Sequence, residues 1–494
     1  MSELPKSWVV TRLGDFAYVK NGFAFKSKHY VPTDTNTVPV IRISDIQNEK
    51  AVIDKASHVH KDNTQQDFLI VKDDLLIAMS GATTGKTGVY KSDVVAYQNQ
   101  RVGNIKLHSK LLGSNTYKNY LIASLSEEIL KKAYGAAQPN ISGKSIEDIL
   151  VAIAPLNEQT RIADKLDSML AKVDAAQTRL DKIPNILKRF RQSVLAAATS
   201  GELTKEWRIS NSQSAYDFEL LRQNIYDNWL EARHAEFKRK GKTPKSTTWL
   251  KKFPEPNFID SMIPTWISLS LENIAEVVDP NPSHRMPSYV VEGKPFISSE
   301  NIININKLNF SKGKKVTAEE VEKQKTRYEI IEGTFAFTRI GTIGKSVLLP
   351  KPHDYGISHA MAVVNPYKSI MDSAFLILTM NCETILKQAS HGVQSVGVPD
   401  LGIGKMKSFT VPLPPLIEQQ EIVRRVESLF TMADTVEKQF LEAKARTNRL
   451  TQSILAKAFR GELVAQDSND ESAELLLRKI QQVYKTDVKS KKKK

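Results

Sequence analysis

Two glycine–lysine turns are the first places in this 494-residue chain where residue type and spacing suggest chemistry. Gly81-Ala-Thr-Thr-Gly85-Lys86 and Gly341-Thr-Ile-Gly344-Lys345 have the flavour of a phosphate loop. That loop needs four residues between its glycines, followed by Gly-Lys-Ser/Thr. Here the glycines enclose three and two residues, too few to wrap the same nest of N–H groups around a triphosphate. Nucleotide hydrolysis is therefore excluded. Methyl transfer fares no better: Asp279-Pro280-Asn281-Pro282 breaks the Asp/Asn-Pro-Pro-aromatic pattern, and Asn365-Pro366-Tyr367 lacks its second proline. A nuclease needs clustered carboxylates with a lysine, and Pro399-Asp400 with Lys405 lacks the second acid. The nine histidines are scattered, and His58-x-His60 alone is too little for a metal site. One cysteine, Cys382, excludes an internal disulfide framework and a cysteine-rich zinc site. The expectation is a chain with no catalytic centre, no metal and no cofactor of its own.

What the residues do offer is DNA-reading chemistry. In the first half the candidates are Arg42, Ser80, Thr83, Thr84, Lys86, Gln98, Asn99, Gln100, Arg101, Asn140 and Ser142. In the second they are Asn301, Arg339, Thr342, Lys345, Ser358, His359 and Gln394. Arginine binds guanine O6 and N7 through two bonds, and Asn or Gln does the same with adenine N6 and N7. Lysine, serine and threonine suit phosphates, and a Gly-rich turn lets backbone N–H groups approach one closely. The net charge of +15 agrees, favouring a polyanionic partner; six of the lysines lie between Lys485 and Lys494.

The elements that must position these residues are organised around a duplication. Pro415–Leu463 repeats Pro155–Leu203 with a constant offset of 260, without a gap and with 16 of 49 positions identical. Each copy carries apolar residues at alternating steps of four and three. They are Ile162, Leu166, Met169, Val173, Ala176, Leu180, Ile183, Leu187, Phe190 and Val194, then Ile422, Val426, Leu429, Ala433, Val436, Phe440, Ala443, Thr447, Leu450 and Ile454. Such a seam is a coiled-coil signal and needs a partner with a matching stripe, for which the other copy is the candidate. Helices of this length would be rods of roughly 60 Å. Pro184 should kink or break the first near Ile183, because proline lacks the N–H of that turn.

The rest of the chain falls into place around the two helices. Residues 1–154 read as a first mixed domain, with strand-like runs at Val38–Ile43 and Phe68–Met79 and helical spacing over Tyr117–Lys132. The first long helix belongs to 155–203, and 204–260 form a connector with a surface helix over Phe218–Lys240 and a basic Lys/Thr/Pro stretch. Residues 261–414 repeat the first domain loosely. Ser7-Trp8-Val9 matches Thr265-Trp266-Ile267, Pro39-Val40-Ile41 matches Pro295-Phe296-Ile297, and the two Gly-Lys turns correspond. The second long helix occupies 415–465, and 466–494 hold a short amphipathic helix (Glu471–Tyr484) and a basic, disordered end. The fold class is mixed α+β, an internal repeat with a pseudo-two-fold. No apolar run approaches a signal peptide or a membrane span, so a cytoplasmic protein is expected.

At this point the chain resembles a known family, the specificity subunits of type I restriction–modification systems, and in particular their type IA branch. The resemblance covers nearly the whole length. It rests on Pro-Leu-x-Glu-Gln opening each long helix (155–159 and 415–419), on Ser-Val/Ile-Leu-Ala before Gly-Glu-Leu near each end, and on a variable domain before each helix. It implies two target recognition domains, each reading one half of a bipartite, asymmetric double-stranded DNA sequence. The two helices would pack as an antiparallel coiled coil and set the gap. Two modification subunits binding S-adenosylmethionine and restriction subunits using ATP and Mg²⁺ would be the partners, with methylation and cleavage belonging to them. The residues alone leave a second reading open: a coiled-coil adaptor with incidental DNA affinity.

Overall fold

A proline sets where the first long helix breaks. In the computed structural model, which describes residues 4–47, 49–134, 139–211, 216–283, 286–392 and 398–491, helix α1 (Leu156–Leu180) ends in a turn at Asp181 and Lys182. Helix α2 (Ile183–Thr199) then starts with Pro184 in its first turn, where the missing N–H costs nothing. Helix α3 (Phe218–Arg239) begins on an Asp217 cap whose carboxylate accepts from the N–H groups of Glu219 and Leu220. Helix α4 (Leu416–Ala458) has no proline and runs through all 43 residues. Helix α5 (Ala473–Lys491) continues past Tyr484 instead of stopping there, and residues 492–494 lie outside the described residues.

The chain divides into two units, and neither is continuous in sequence. The first is Met1–Asp181 with Phe440–Lys494; the second is Lys182–Gln439. Each therefore holds one globular domain and a segment of both long helices. In the first unit Ile162, Leu166 and Val173 share a core with Ile454, Leu455 and Ala458, and Lys444 pairs with Asp181 at 2.8 Å. Numbers rise along α1 as they fall along α4, so the segments are antiparallel. The second unit repeats this: Arg191 bonds Asp434 and Glu437, while Val194 and Ala198 share a core with Ile422 and Val426.

The seam is deepest where a globular domain covers it. Ile162, Leu166, Ile422 and Val426 are fully buried; Val173, Leu187, Val194, Phe440 and Ile454 are nearly so. Met169, Leu180 and Leu429 are half-buried. Val436 and Leu450, expected in the seam, are instead 43% and 48% exposed. Both lie away from the domain cores, where a single partner helix covers only a narrow stripe and a straight helix drifts against a 3.5-residue repeat.

The motifs shared by the two copies form the joints between helix and domain, and they do so crosswise. In the first unit the Trp8 indole donates to buried Glu158 at 2.9 Å; in the second Trp266 donates to buried Glu418 at 2.9 Å. The neighbouring glutamines tie down backbone: Gln159 bonds Ser114 N and Ala154 O, and Gln419 bonds Asp372 N and both Ile370 O and Pro414 O. Each joint is closed by the Gly-Glu-Leu of the other copy. A Cβ on Gly461 would lie 2.3 Å from Pro5, and one on Gly201 2.2 Å from Ile263. Both glycines hold φ near +77°, the left-handed helix terminus that favours glycine. The joints differ in their second ligand. Glu158 accepts from Gln466, whereas Glu418 accepts from Thr204 and from Arg208 Nε and Nη2 at 2.7–2.9 Å. Burial pushes the Glu158 carboxyl up, with the Gln466 and Trp8 bonds opposing that rise.

The segment read as a connector is built into the second unit. Leu221 and Ile225 of α3 belong to that unit's core, and Trp229 stacks against Trp249 with Phe253 edge-on. Helix α5 does the same for the first unit through Ala473, Leu476, Leu477 and Ile480. Each repeat thus ends in a helix folded back onto a domain.

Both domains share a four-stranded antiparallel sheet. In the first the order is Ala17–Asn21, Val102–Leu107, Leu75–Ala78, Thr87–Tyr90, extended by two short strands at Lys50–Ala51 and Ile46–Gln47. In the second it is Ala275–Val278, Met361–Pro366, Phe335–Thr338, Ser346–Leu348. A second sheet in each contains a parallel pair, Thr37–Ile41 with Ala96–Gln98 and Lys294–Ile297 with Gly356–Ile357. The helical stretch expected over Tyr117–Lys132 is two helices, Asn115–Ser124 and Ser126–Ala133. Among the described residues no helix is long and apolar enough to cross a membrane, and no group of three His, Cys, Asp or Glu is placed to hold a metal ion. Cys382 is buried and free.

Candidate nucleic-acid interface

The Gly81–Lys86 turn is shaped by its own hydrogen bonds. Gly81 and Gly85 sit at φ +87° and +82°, conformations that a side chain would strain. Thr84 is buried and donates its hydroxyl to Gly81 O and Pro139 O, while Gly85 N returns to Ala78 O. The closed turn leaves Lys86 exposed. Three further loops meet it. Met79 N bonds Arg101 O, Gly81 N bonds Pro139 O, Ile141 N bonds Met79 O, and Asn99 N bonds Ile41 O. Thr83 reaches Ile43 O at 3.4 Å. Residues 42–45, 79–86, 98–101 and 139–142 are therefore gathered at one end of the sheet.

The second domain reproduces this cage almost bond for bond. Arg339 N bonds Ala360 O, Gly341 N bonds Pro399 O, Leu401 N bonds Arg339 O, and Ser358 N bonds Ile297 O. The isolated bridge Ser80–Asn140 has its counterpart in Ile340–Asp400. Arg42 and Ser298 open equivalent one-turn helices, their N–H groups bonded to the side chains of Asp45 and Asn301. Two loop clusters of one backbone design thus carry different side chains.

Several predicted residues stand ready at the cluster surface. Lys86, Gln100, Arg101, Asn140 and Ser142 are exposed in the first domain, and Thr342 and Lys345 in the second. Arg42, Ser80, Thr83, Asn99 and His359 are half-buried. Asn99 is committed locally, donating to the Tyr30 hydroxyl and accepting from Arg101 N; Ser142 caps the helix Gly143–Glu147. Five residues expected to read DNA are interior instead. Thr84 locks its turn, and Gln98 donates to Lys20 O and Val102 O. Asn301 ties Asn309 O and Lys312 O to Ser298 N. Ser358 accepts from Ala360 N, and Arg339 is 2% exposed. A buried polar group must find its partners inside the protein, and these have done so except at Gln98 Oε1 and Arg339 Nε, which are buried with no partner. Gln394 lies outside the described residues.

Arg339 is held by two carboxylates that the sequence reading did not select as site residues. Its Nη2 donates to Asp279 at 2.9 Å and its Nη1 to Asp400 at 3.3 Å. The Asp400 side chain remains 44% exposed at the cluster rim. The signal for Asp400 was present in the offset of 260, which sets it opposite Asn140.

Comparison with known proteins agrees with this architecture. The family model described as "Type I restriction modification DNA specificity domain" matches residues 5–185 and again 266–443. The chain is 31% identical over 484 residues to the specificity subunit of the type I restriction enzyme EcoBI from Escherichia coli, covering 96% of this chain and 92% of that one. It is 33% identical to the EcoDI specificity subunit from Escherichia coli over 73% of this chain and 74% of the relative. With the EcoKI specificity subunit from Escherichia coli strain K12 it shares 29% identity over 97% and 96%. Its fold matches a chain solved in a study of assembly and conformational transition of the type I R-M system, with TM-score 0.57 and 14% identity, over 94% of this chain and all of that one.

Proposed function

Since this chain belongs to the type I restriction–modification DNA specificity family, we propose that each of its two loop clusters reads one half of a bipartite double-stranded DNA target. The observation that carries this reading is the repeated hydrogen-bond cage around two clusters whose exposed side chains differ. One scaffold then presents two chemistries, as two unlike half-sites require. Lys86 and Lys345 serve phosphates, which position the protein without naming bases. Gln100, Arg101 and Asn140 carry donor and acceptor sets suited to base edges. Helices α1, α2 and α4 set the gap between the half-sites.

The chain itself catalyses nothing in this proposal. Two modification subunits bind S-adenosylmethionine and methylate; restriction subunits using ATP and Mg²⁺ cleave; the assembly works in the cytoplasm. The test is to co-express the chain with its cognate modification subunit and map methylated adenines across the host genome. One two-part motif with a fixed gap is the expected result. A stable complex that adds no new motif overturns the reading. Lys86→Ala and Lys345→Ala should each weaken binding to all sequences alike and reduce the salt slope by about 0.9 per lost phosphate contact.

A further inference from the structure

The two clusters differ most sharply at one shared position. Asn140 and Asp400 occupy the same place in the cage, each bridged to the residue before the turn's first glycine, Ser80 or Ile340. In the first domain the residue behind this bridge is Met79; in the second it is Arg339. The fold does not require the arginine, because Met79 makes the same backbone bonds. Arg339 is instead spent on acids. Its guanidinium is buried, and it grips Asp279 and Asp400.

Arg339 takes Asp400 Oδ1, but the side chain is still 44% exposed. The exposed part of an acid on the rim of a DNA-facing loop is costly unless it meets a donor on the DNA, since phosphates repel it. Among base edges in the major groove, cytosine offers the N4 amino group alone. Adenine offers N6 beside the N7 acceptor, which suits a carboxamide and repels the second oxygen of a carboxylate. We propose that Asp400, oriented by Arg339, selects a cytosine through its N4 amino group in the half-site read by the second domain. Asn140 takes an adenine at the equivalent place in the other half-site. The inference rests on the DNA-reading function proposed above.

The test uses the full chain co-expressed with its modification subunit, with methylated motifs mapped for wild type, Asp400→Asn, Asp400→Ala and Arg339→Met. Wild type should show cytosine at one position of one half-site. Both Asp400 variants should lose that preference by roughly five- to 150-fold there and leave the rest of the motif intact. Asp400→Asn should move the preference to adenine. Arg339→Met, which installs the first domain's residue, should relax the same position and no other, marking Arg339 as a positioning residue. If the wild type writes a motif and the Asp400 variants write it unchanged, the proposal fails while the specificity function stands. Equal loss at every position would likewise overturn it, reducing Arg339 and Asp400 to a structural ion pair. A wild type that writes no motif refutes the underlying function itself.

Discussion

Glu158 and Glu418 are the same residue of one repeated motif, yet their removal should cost different amounts. Glu418 is fully buried and accepts from Trp266, Thr204 and two nitrogens of Arg208, whose side chain is 15% exposed. Glu418→Ala leaves a largely buried guanidinium without its counter-ion, a change worth about 3–5 kcal/mol. Glu158 accepts only neutral donors, from Trp8 and Gln466, and the nearby Arg161 is already bonded to Asp470 at 2.7 Å. Glu158→Ala therefore strands two neutral donors while relieving one buried charge, for a net loss of about 2 kcal/mol. Glu418→Gln keeps the shape and one acceptor and should fall between wild type and alanine. The assay is amide hydrogen exchange across a urea series on the full chain. It should be read at the strands beside each joint, Val9–Arg12 with Leu150–Ile153, and Ile267–Ser270 with Thr410–Leu413. If Glu158→Ala costs its unit as much as Glu418→Ala costs the other, the assignment of the extra energy to Arg208 is wrong.

Three further outcomes are expected. Gly201→Ala and Gly461→Ala should each lower stability by about 2 kcal/mol or more in denaturant melts, because both combine positive φ with a Cβ clash near 2.3 Å. A loss within 0.5 kcal/mol would show that the helix ends simply shift. Lys118 is 1% exposed, donates to Ile105 O, and is held down to about 7 by burial, with Asp74 acting the other way. The unfolded lysine titrates near 10.4, so between pH 7 and 10 the unfolded chain binds the extra proton and the first unit gains stability as pH rises. Lys118→Met should remove that rise, roughly 2–4 kcal/mol over the window; parallel pH curves for variant and wild type would refute the lowered value. Lys444→Ala should change the melting temperature hardly at all, since the Lys444–Asp181 pair is 41% and 51% exposed and such pairs contribute about 0–1 kcal/mol. A drop of several degrees would mark it as a working clasp of the helix pair.

What could be read from the residues alone was whatever local chemistry or exact repetition encodes. The heptad ladders, the break at Pro184, the helix from Phe218 and the correspondence of the two Gly-Lys turns all follow from spacing, backbone sterics and the constant offset of 260. The family was legible for the same reason, because Pro-Leu-x-Glu-Gln and Gly-Glu-Leu are strings. Their purpose was not. That Glu158 takes the indole of Trp8, and that each Gly-Glu-Leu closes the joint of the other copy, depends on contacts between residues hundreds of positions apart. The site was half legible on the same principle. Glycine turns and exposed Lys86, Lys345 and Asn140 announce a loop surface, but polar type cannot tell a side chain facing solvent from one satisfied inside. Gln98, Asn301 and Arg339 have the chemistry of DNA readers and spend it on backbone carbonyls and neighbouring carboxylates. Burial and partner are properties of the packed chain, and at those residues only the tertiary structure could decide between holding the loop and facing the DNA.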